Sequence, residues 1–136
     1  MILPPNEATL LAWTVWQESQ GEPLKGQQAV AHVILNRRKL AGYGNTICGV
    51  VMQPYQFSCW NSDSPTRRRL PEDNVAWRQA AMATESALRG DQDPTNGATN
   101  YLNEVTVKRV AGRLPAWFDA SKVTLREGNH TFLKLV

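Results

Sequence analysis

The stretch Asn6-Glu7-Ala8-Thr9-Leu10-Leu11-Ala12-Trp13-Thr14-Val15-Trp16-Gln17-Glu18-Ser19-Gln20-Gly21-Glu22-Pro23 decides how this chain begins to fold. Asn6, placed after Pro4-Pro5, is a good N-cap because its side chain can accept from the first free backbone N–H groups, and Glu7 favours the positive end of the helix. Leu11, Thr14, Val15 and Glu18 recur at i, i+3, i+4 and i+7, which places them on one stripe of an α-helix. Gly21 is a natural stop, and Pro23 cannot continue the helix.

Working outward, a second helix is expected from about Lys25 to Leu40, with Ala29, Val30, Val33, Ile34 and Leu40 on its apolar stripe and Gly42 beyond its end. Thr46 to Gln53 reads as a short buried helix ended by Pro54, or as a strand through Ile47, Val50 and Val51; so short a run has no deciding period. Pro71 and Glu72-Asp73 lead a third helix carrying Trp77, Ala80, Ala81, Thr84, Ala87 and Leu88, closed by Gly90. Asp91 to Gly97 is turn chemistry. Beyond it the pattern becomes extended: Ala98 to Leu102 reads as a strand, and Val123-Thr124-Leu125 is expected to pair with Thr131-Phe132-Leu133 around Glu127-Gly128-Asn129. Helices first and a small antiparallel region last define an α+β fold, and a length of 136 residues fits one domain spanning 1–136.

Composition narrows the function classes. An apolar fraction of 42% with mixed charges describes a globular chain, and no run of about 18 apolar residues offers a membrane span. Met1-Ile2-Leu3-Pro4-Pro5 lacks the basic start and apolar run of a secretory signal, so either a signal has been removed or export depends on other proteins. The formal charge of +3 suits an anionic partner such as an envelope polymer or nucleic acid. The run Arg67-Arg68-Arg69, between Pro65 and Pro71, reads first as a solvated loop, and no nucleic-acid-binding pattern accompanies it. Five tryptophans serve either the core or stacking against sugar rings. Cys48 and Cys59 either pair across a turn-rich segment or remain buried thiols. Together with His32 and His130 they show no close ligand spacing and no H-E-x-x-H, so neither a metal nor another cofactor is expected.

Glu18 is the unusual residue. It continues the stripe of Leu11 and Val15, so it points toward the interior or a cleft floor, and it lies in the last helical turn, where the dipole's negative end disfavours a carboxylate. Burial and dipole both favour a retained proton, which is what a general acid for an acetal linkage needs. The structural alternative is a Glu at a fraying helix end, turned to solvent or paired with Lys25 or Arg37.

The blocks Trp16-Gln17-Glu18-Ser19-Gln20-Gly21-Glu22-Pro23 and Gly26-Gln27-Gln28-Ala29-Val30-Ala31-His32-Val33-Ile34-Leu35-Asn36-Arg37 resemble the core of the SleB-like cell-wall hydrolases. That family includes spore-cortex-lytic enzymes and phage or prophage endolysins. The resemblance continues through Asn45 to Val51, Gln53 to Trp60, Gly97 to Tyr101 and Gly128 to Phe132, in the family's order. It implies a lysozyme-like fold and action on peptidoglycan glycan strands of the bacterial cell wall. It assigns the catalytic acid to Glu18, the first Glu of the family's E-x-x-G-E. The Q-F-S segment maps to Gln56, Phe57 and Ser58, all expected to bind substrate beside the cleft, where Gln56 and Ser58 either hold a sugar N-acetyl or hydroxyl group or make local turn hydrogen bonds. Tyr101 matches an aromatic of the family's G-A-T-H-Y-Y-N block and is expected to orient substrate or stabilise charge. Here Asn100 replaces that block's His and Leu102 its second aromatic, so a proton relay or stacking at those positions does not carry over. Glu22 and His130 match the family and read as structural, Glu22 by satisfying backbone donors at the opening of the second helix.

The chemistry implied by the resemblance is cleavage of the bond between N-acetylmuramic acid and N-acetylglucosamine, by lytic transglycosylation with Glu18 as acid and base in the preferred reading and by muramidase hydrolysis in the alternative. The usual hydrolytic routes need a second carboxylate about 5–9.5 Å away, and Asp63 and Asp73 are placed after the Q-F-S block. Two rivals come from other classes: a peptidoglycan endopeptidase or amidase, which calls for a metal site or a Cys/His pair, and a non-catalytic glycan-binding module using the tryptophans and basic face. A one-domain length with no wall-anchoring repeats resembles a compact endolysin, expected to act as a monomer in the periplasm or outside the cell. If phage-encoded, it would be made in the host cytoplasm and released without its own signal peptide.

Overall fold

The computed structural model describes residues 6–40, 42, 45–53, 57, 60 and 74–136. Helix α1 spans Glu7–Glu18, α2 Leu24–Arg38, α3 Ile47–Val51 and α4 Val75–Leu88; β1 (Asn100–Leu102) and α5 (Glu104–Ala111) follow, then a 3-10 turn at Ala120–Lys122 and the hairpin of β2 (Val123–Glu127) and β3 (His130–Leu133). Helices α1, α2 and α4 pack on one another, α3 covers α1 and α2, and α2 reaches β1. The sheet has the order β1-β3-β2, with both pairings antiparallel. The architecture is thus the expected α+β one.

Local chemistry sets the helix ends. Asn6 Oδ1 accepts from the Thr9 N–H at 2.8 Å, starting α1 as its sequence predicts. Glu7 reaches across to accept from the Cys48 N–H at 2.7 Å, and Thr46 Oγ1 accepts from the Gly49 N–H at 2.9 Å, so two side chains satisfy the opening of α3. This settles the helix-or-strand ambiguity there. Helix α4 starts later than Pro71: Asn74 Oδ1 accepts from the Trp77 N–H at 3.0 Å, making Asn74 the cap.

The first two helices are buried more broadly than a one-sided stripe implies. Every residue from Leu10 to Trp16 is buried, as is every residue from Ala29 to Leu35. A helix enclosed by neighbours on several sides has no wet face to keep polar. Phe57, Phe132, Leu11 and Ile34 are among the largest fully buried side chains, each worth roughly 1.5–3 kcal/mol on transfer from water. Trp13 and Trp60 meet edge-on with ring centroids 5.5 Å apart, and Trp16 and Trp77 at 6.3 Å. The buried Trp60 Nε1–H donates to Thr14 Oγ1 at 2.8 Å, and that hydroxyl donates to Leu10 O at 2.8 Å, so no polar atom of this pair is stranded. Four tryptophans therefore pack into or against the core, while Trp117 is 41% exposed.

Cys48 is exposed and its thiol is free, which departs from both expectations for the pair; Cys59 lies outside the described residues. So do Met1 to Pro5, Pro54, Gln56, Ser58, Asp63, Pro65, the arginines 67–69 and Pro71 to Asp73. Among the described residues no helix is long and apolar enough to cross a membrane.

Candidate active site

Glu18 is the last residue of α1 and is half-buried, one stripe position beyond the fully buried Leu11 and Val15. Its peptide is held from two sides. Ser19 caps the helix, with its N–H 3.0 Å from Val15 O and its hydroxyl also donating to Val15 O. The buried Gln27 side chain donates from Nε2 to Ser19 O at 3.2 Å. Gly21, at φ +82°, then turns the chain sharply.

That turn delivers Glu22 to the β2–β3 hairpin rather than to α2, which opens on Pro23 with no side-chain cap. Glu22 is 7% exposed. Its Oε1 accepts from the Asn129 N–H at 2.9 Å and its Oε2 from Asn129 Nδ2 at 3.2 Å, while His130 Nδ1 lies 3.3 Å from Oε1. The approach is close enough to require glycine opposite: a methyl group at Gly128 would lie 2.9 Å from Glu22 Oε2 and from Pro23 Cδ. Glu22 is therefore structural, as expected, but through hairpin donors 107 residues away instead of the N–H groups of α2.

His130 continues the set. Its ring centroid is 5.0 Å from that of Tyr101, and Tyr101 is 5.7 Å from Phe132, its directly paired neighbour across β1 and β3. Tyr101 is half-buried on β1. Asn100 accepts from the Thr99 hydroxyl at 2.9 Å, and Leu102 is buried.

Phe57 departs from a sugar-facing role. It is 1% exposed and belongs to the core, with the Arg37 guanidinium carbon 5.4 Å from its ring centroid. Arg37, itself buried, also donates from Nε to Thr99 O, two residues before Tyr101. The contacts thus run from Phe57 through Arg37 and Thr99 to the strand of Tyr101, then through His130 and Glu22 to the turn after Glu18. Gln27 and Arg37 carry positions that pattern alone leaves unassigned. Each is a polar break in the buried surface of α2, and that break is the signal that marks them.

Burial pushes the imidazole of His130 below its ordinary value of 6.5, and the opposing attraction of Glu22 does not offset it; His32 is lowered the same way, against the attraction of Asp93 3.9 Å away. A histidine whose folded value is depressed binds protons more readily when unfolded, so its stabilisation is present above 6.5 and is lost as pH falls through the folded value. The urea midpoint is therefore expected to drop between about pH 7.5 and about pH 5.5, and replacing both histidines with Asn should flatten that slope. An unchanged slope in the double variant would contradict this. Asp93 acts in a lower window. Burial raises its carboxyl, but hydrogen bonds from Asn36, Thr95 and Gly97 together hold it below 3.8, so its contribution is lost only in stronger acid.

A helical body with a small antiparallel sheet, and a glutamate at the end of its first helix, is the plan of a lysozyme-like domain. The sequence profile of the Cell Wall Hydrolase family matches residues 21–133, most of the chain, and the chain belongs to that family. The matched span begins just after Glu18. Curated relatives extend further. The spore cortex-lytic enzyme of Halalkalibacterium halodurans is 34% identical over 127 residues, covering 93% of this chain and 34% of its own length. That of Bacillus cereus is 33% identical over 129 residues, covering 95% and 44%. The chain therefore spans less than half of these relatives. The solved catalytic domain of the Bacillus cereus SleB protein is 31% identical with a TM-score of 0.74, covering 97% of this chain and 95% of that one. The catalytic domain of the germination-specific lytic transglycosylase SleB from Bacillus anthracis is also 31% identical, with a TM-score of 0.73 and 97% of both chains covered.

Proposed function

We propose that this chain is a lytic transglycosylase that cuts the bond between N-acetylmuramic acid and N-acetylglucosamine in peptidoglycan, with Glu18 as acid and then base. The observation that carries the reading is the place of Glu18: a half-buried residue at the negative end of α1, whose following backbone is fixed by Ser19 and Gln27. Glu18 protonates the glycosidic oxygen, and the C1–O bond breaks as an oxocarbenium-like centre develops. The C6 hydroxyl of the same muramoyl residue attacks that centre and gives its proton to the Glu18 carboxylate, which closes an anhydro ring and restores the acid. One carboxyl suffices because the nucleophile is tethered at high effective concentration. Glu22 has both oxygens engaged by Asn129, which supports Glu18 as the proton donor of the pair.

Tyr101, half-buried beside His130, orients substrate from the sheet side. Gln56 and Ser58 are proposed to hold sugar substituents, and Phe57, from the core, to anchor the segment between them. The chain is proposed to act as a one-domain monomer on the wall, beyond the cytoplasmic membrane. The likeness to the Bacillus anthracis SleB domain, named as a lytic transglycosylase, supports the transglycosylase chemistry over water attack. Mass spectrometry of fragments released from purified murein tests it. Anhydromuramoyl ends are the expected product, and reducing ends would replace the proposal with muramidase hydrolysis.

A further inference from the structure

The segment between β1 and the hairpin, residues 103–122, is built unlike the other described residues. Asn103 Oδ1 caps α5 by accepting from the Thr106 N–H at 3.0 Å, and Gly112, at φ +79°, ends it. Yet α5 buries no residue: Val105 is 74% exposed and Val110 78%. What fixes it is Glu104, whose carboxylate accepts from Arg126 at 3.2 Å and from the Thr131 hydroxyl of β3. Beyond that anchor the chain folds back, and Val107, Ala111, Arg113, Leu114, Pro115 and Ala116 line an open concavity of about 430 Å³. Trp117 stands next to it in sequence, 41% exposed.

Charge in this segment is one-sided. Its four cations, Lys108, Arg109, Arg113 and Lys122, are all exposed. Its two carboxylates are already engaged, Glu104 as above and Asp119 by the Ser121 N–H and hydroxyl at 2.9 and 2.7 Å. A cavity of this size falls in the range that holds small ligands, about 300–1,000 Å³. Its small apolar side chains suit methyl groups, while Arg113 in its lining and the exposed Lys108 and Arg109 on α5 suit carboxylates. Asn103, the cap of α5, directly follows the strand that carries Tyr101, so the segment begins where a strand of the proposed site ends.

We propose that this surface binds the peptide stems of peptidoglycan, short acidic peptides rich in alanine, and so holds the polymer while a glycan bond is cut. The inference rests on the glycan-cleaving reading of the preceding section. The apolar wall accepts the stem's methyl groups, and Lys108, Arg109 and Arg113 accept its carboxylates. Such contacts add ground-state binding without touching the reacting bond, so they lower KM and leave kcat alone.

The test compares wild type with the Lys108→Gln, Arg109→Gln, Arg113→Gln triple variant. The substrates are murein stripped of teichoic acid and the same glycan after its stems have been removed by an amidase. The triple variant is expected to raise KM about tenfold on stem-bearing murein, with kcat unchanged and the thermal melt preserved. On stem-free glycan the two proteins should share one KM. Ala116→Glu, which puts a carboxylate into the concavity, should raise KM on stem-bearing murein alone. Equal KM values for wild type and both variants on stem-bearing murein would overturn the proposal, as would an equal loss on both substrates. A wild type that cuts neither substrate would instead overturn the glycan-cleaving reading itself.

Discussion

Replacing Glu18 with Gln is expected to slow glycan cleavage by about 10²–10⁴-fold while murein binding is retained. The amide matches the carboxyl in volume and keeps one oxygen, so α1 and its cap at Ser19 are left as they are. What disappears is the transferable proton, and with it the carboxylate that must later take the C6 hydroxyl's proton. Both halves of the reaction fail together, so KM should stay near wild type and kcat should carry the loss. Glu18→Asp refines the expectation. It keeps the acid but withdraws it by one methylene, and misplacement of about 1 Å costs on the order of 10²-fold. Release of soluble fragments, followed by mass spectrometry beside a murein sedimentation assay, measures both quantities. Undiminished cleavage by Glu18→Gln would mean that another group delivers the proton.

The second large effect is on stability. Glu22→Ala is expected to destabilise the fold by about 1–3 kcal/mol, because it empties a buried site, removes the acceptor of both Asn129 donors and takes away the carboxylate beside His130. For a chain of this size the melting temperature should fall by about 5 °C. Glu22→Gln retains the volume and should lose less, since its amide oxygen can still accept while its NH₂ opposes a donor. Activity per folded molecule is the deciding companion measurement. If Glu22 is a strut, Glu22→Gln keeps most of its kcat where Glu18→Gln keeps almost none. A melt unchanged in Glu22→Ala would show that the hairpin does not depend on this contact.

How much of this could be seen in the amino-acid sequence depended on how locally each feature is specified. Asn6 announces α1 because a cap acts over three residues, and the hairpin of β2 and β3 follows from alternation around Gly128. Helix α4 was legible in its interior but not at its start, where Asn74 rather than Pro71 supplies the cap. Helix α5 escaped notice because a helix that buries nothing leaves no apolar period, although Asn103, Glu104 and Gly112 mark its ends. At the candidate site, the position of Glu18 at the end of an apolar stripe was legible. The partners of Glu22 and Arg37 were not, since Asn129 and Thr99 lie 107 and 62 residues away in the chain. Phe57 was misjudged as sugar-facing because a motif gives order along the chain and says nothing of which side is dry.

The span between Glu22 and Asn129 bears on when the domain becomes competent. During synthesis the helices emerge first and can begin to pack on each other. The turn after Glu18 has no hairpin to rest on until residues 129–133 have left the ribosome, and β1 finds its partner strand only at the same moment. Until then a nascent chain carries Glu18 without the platform behind it, so the proposed acid and its support come together only once β3 is in place.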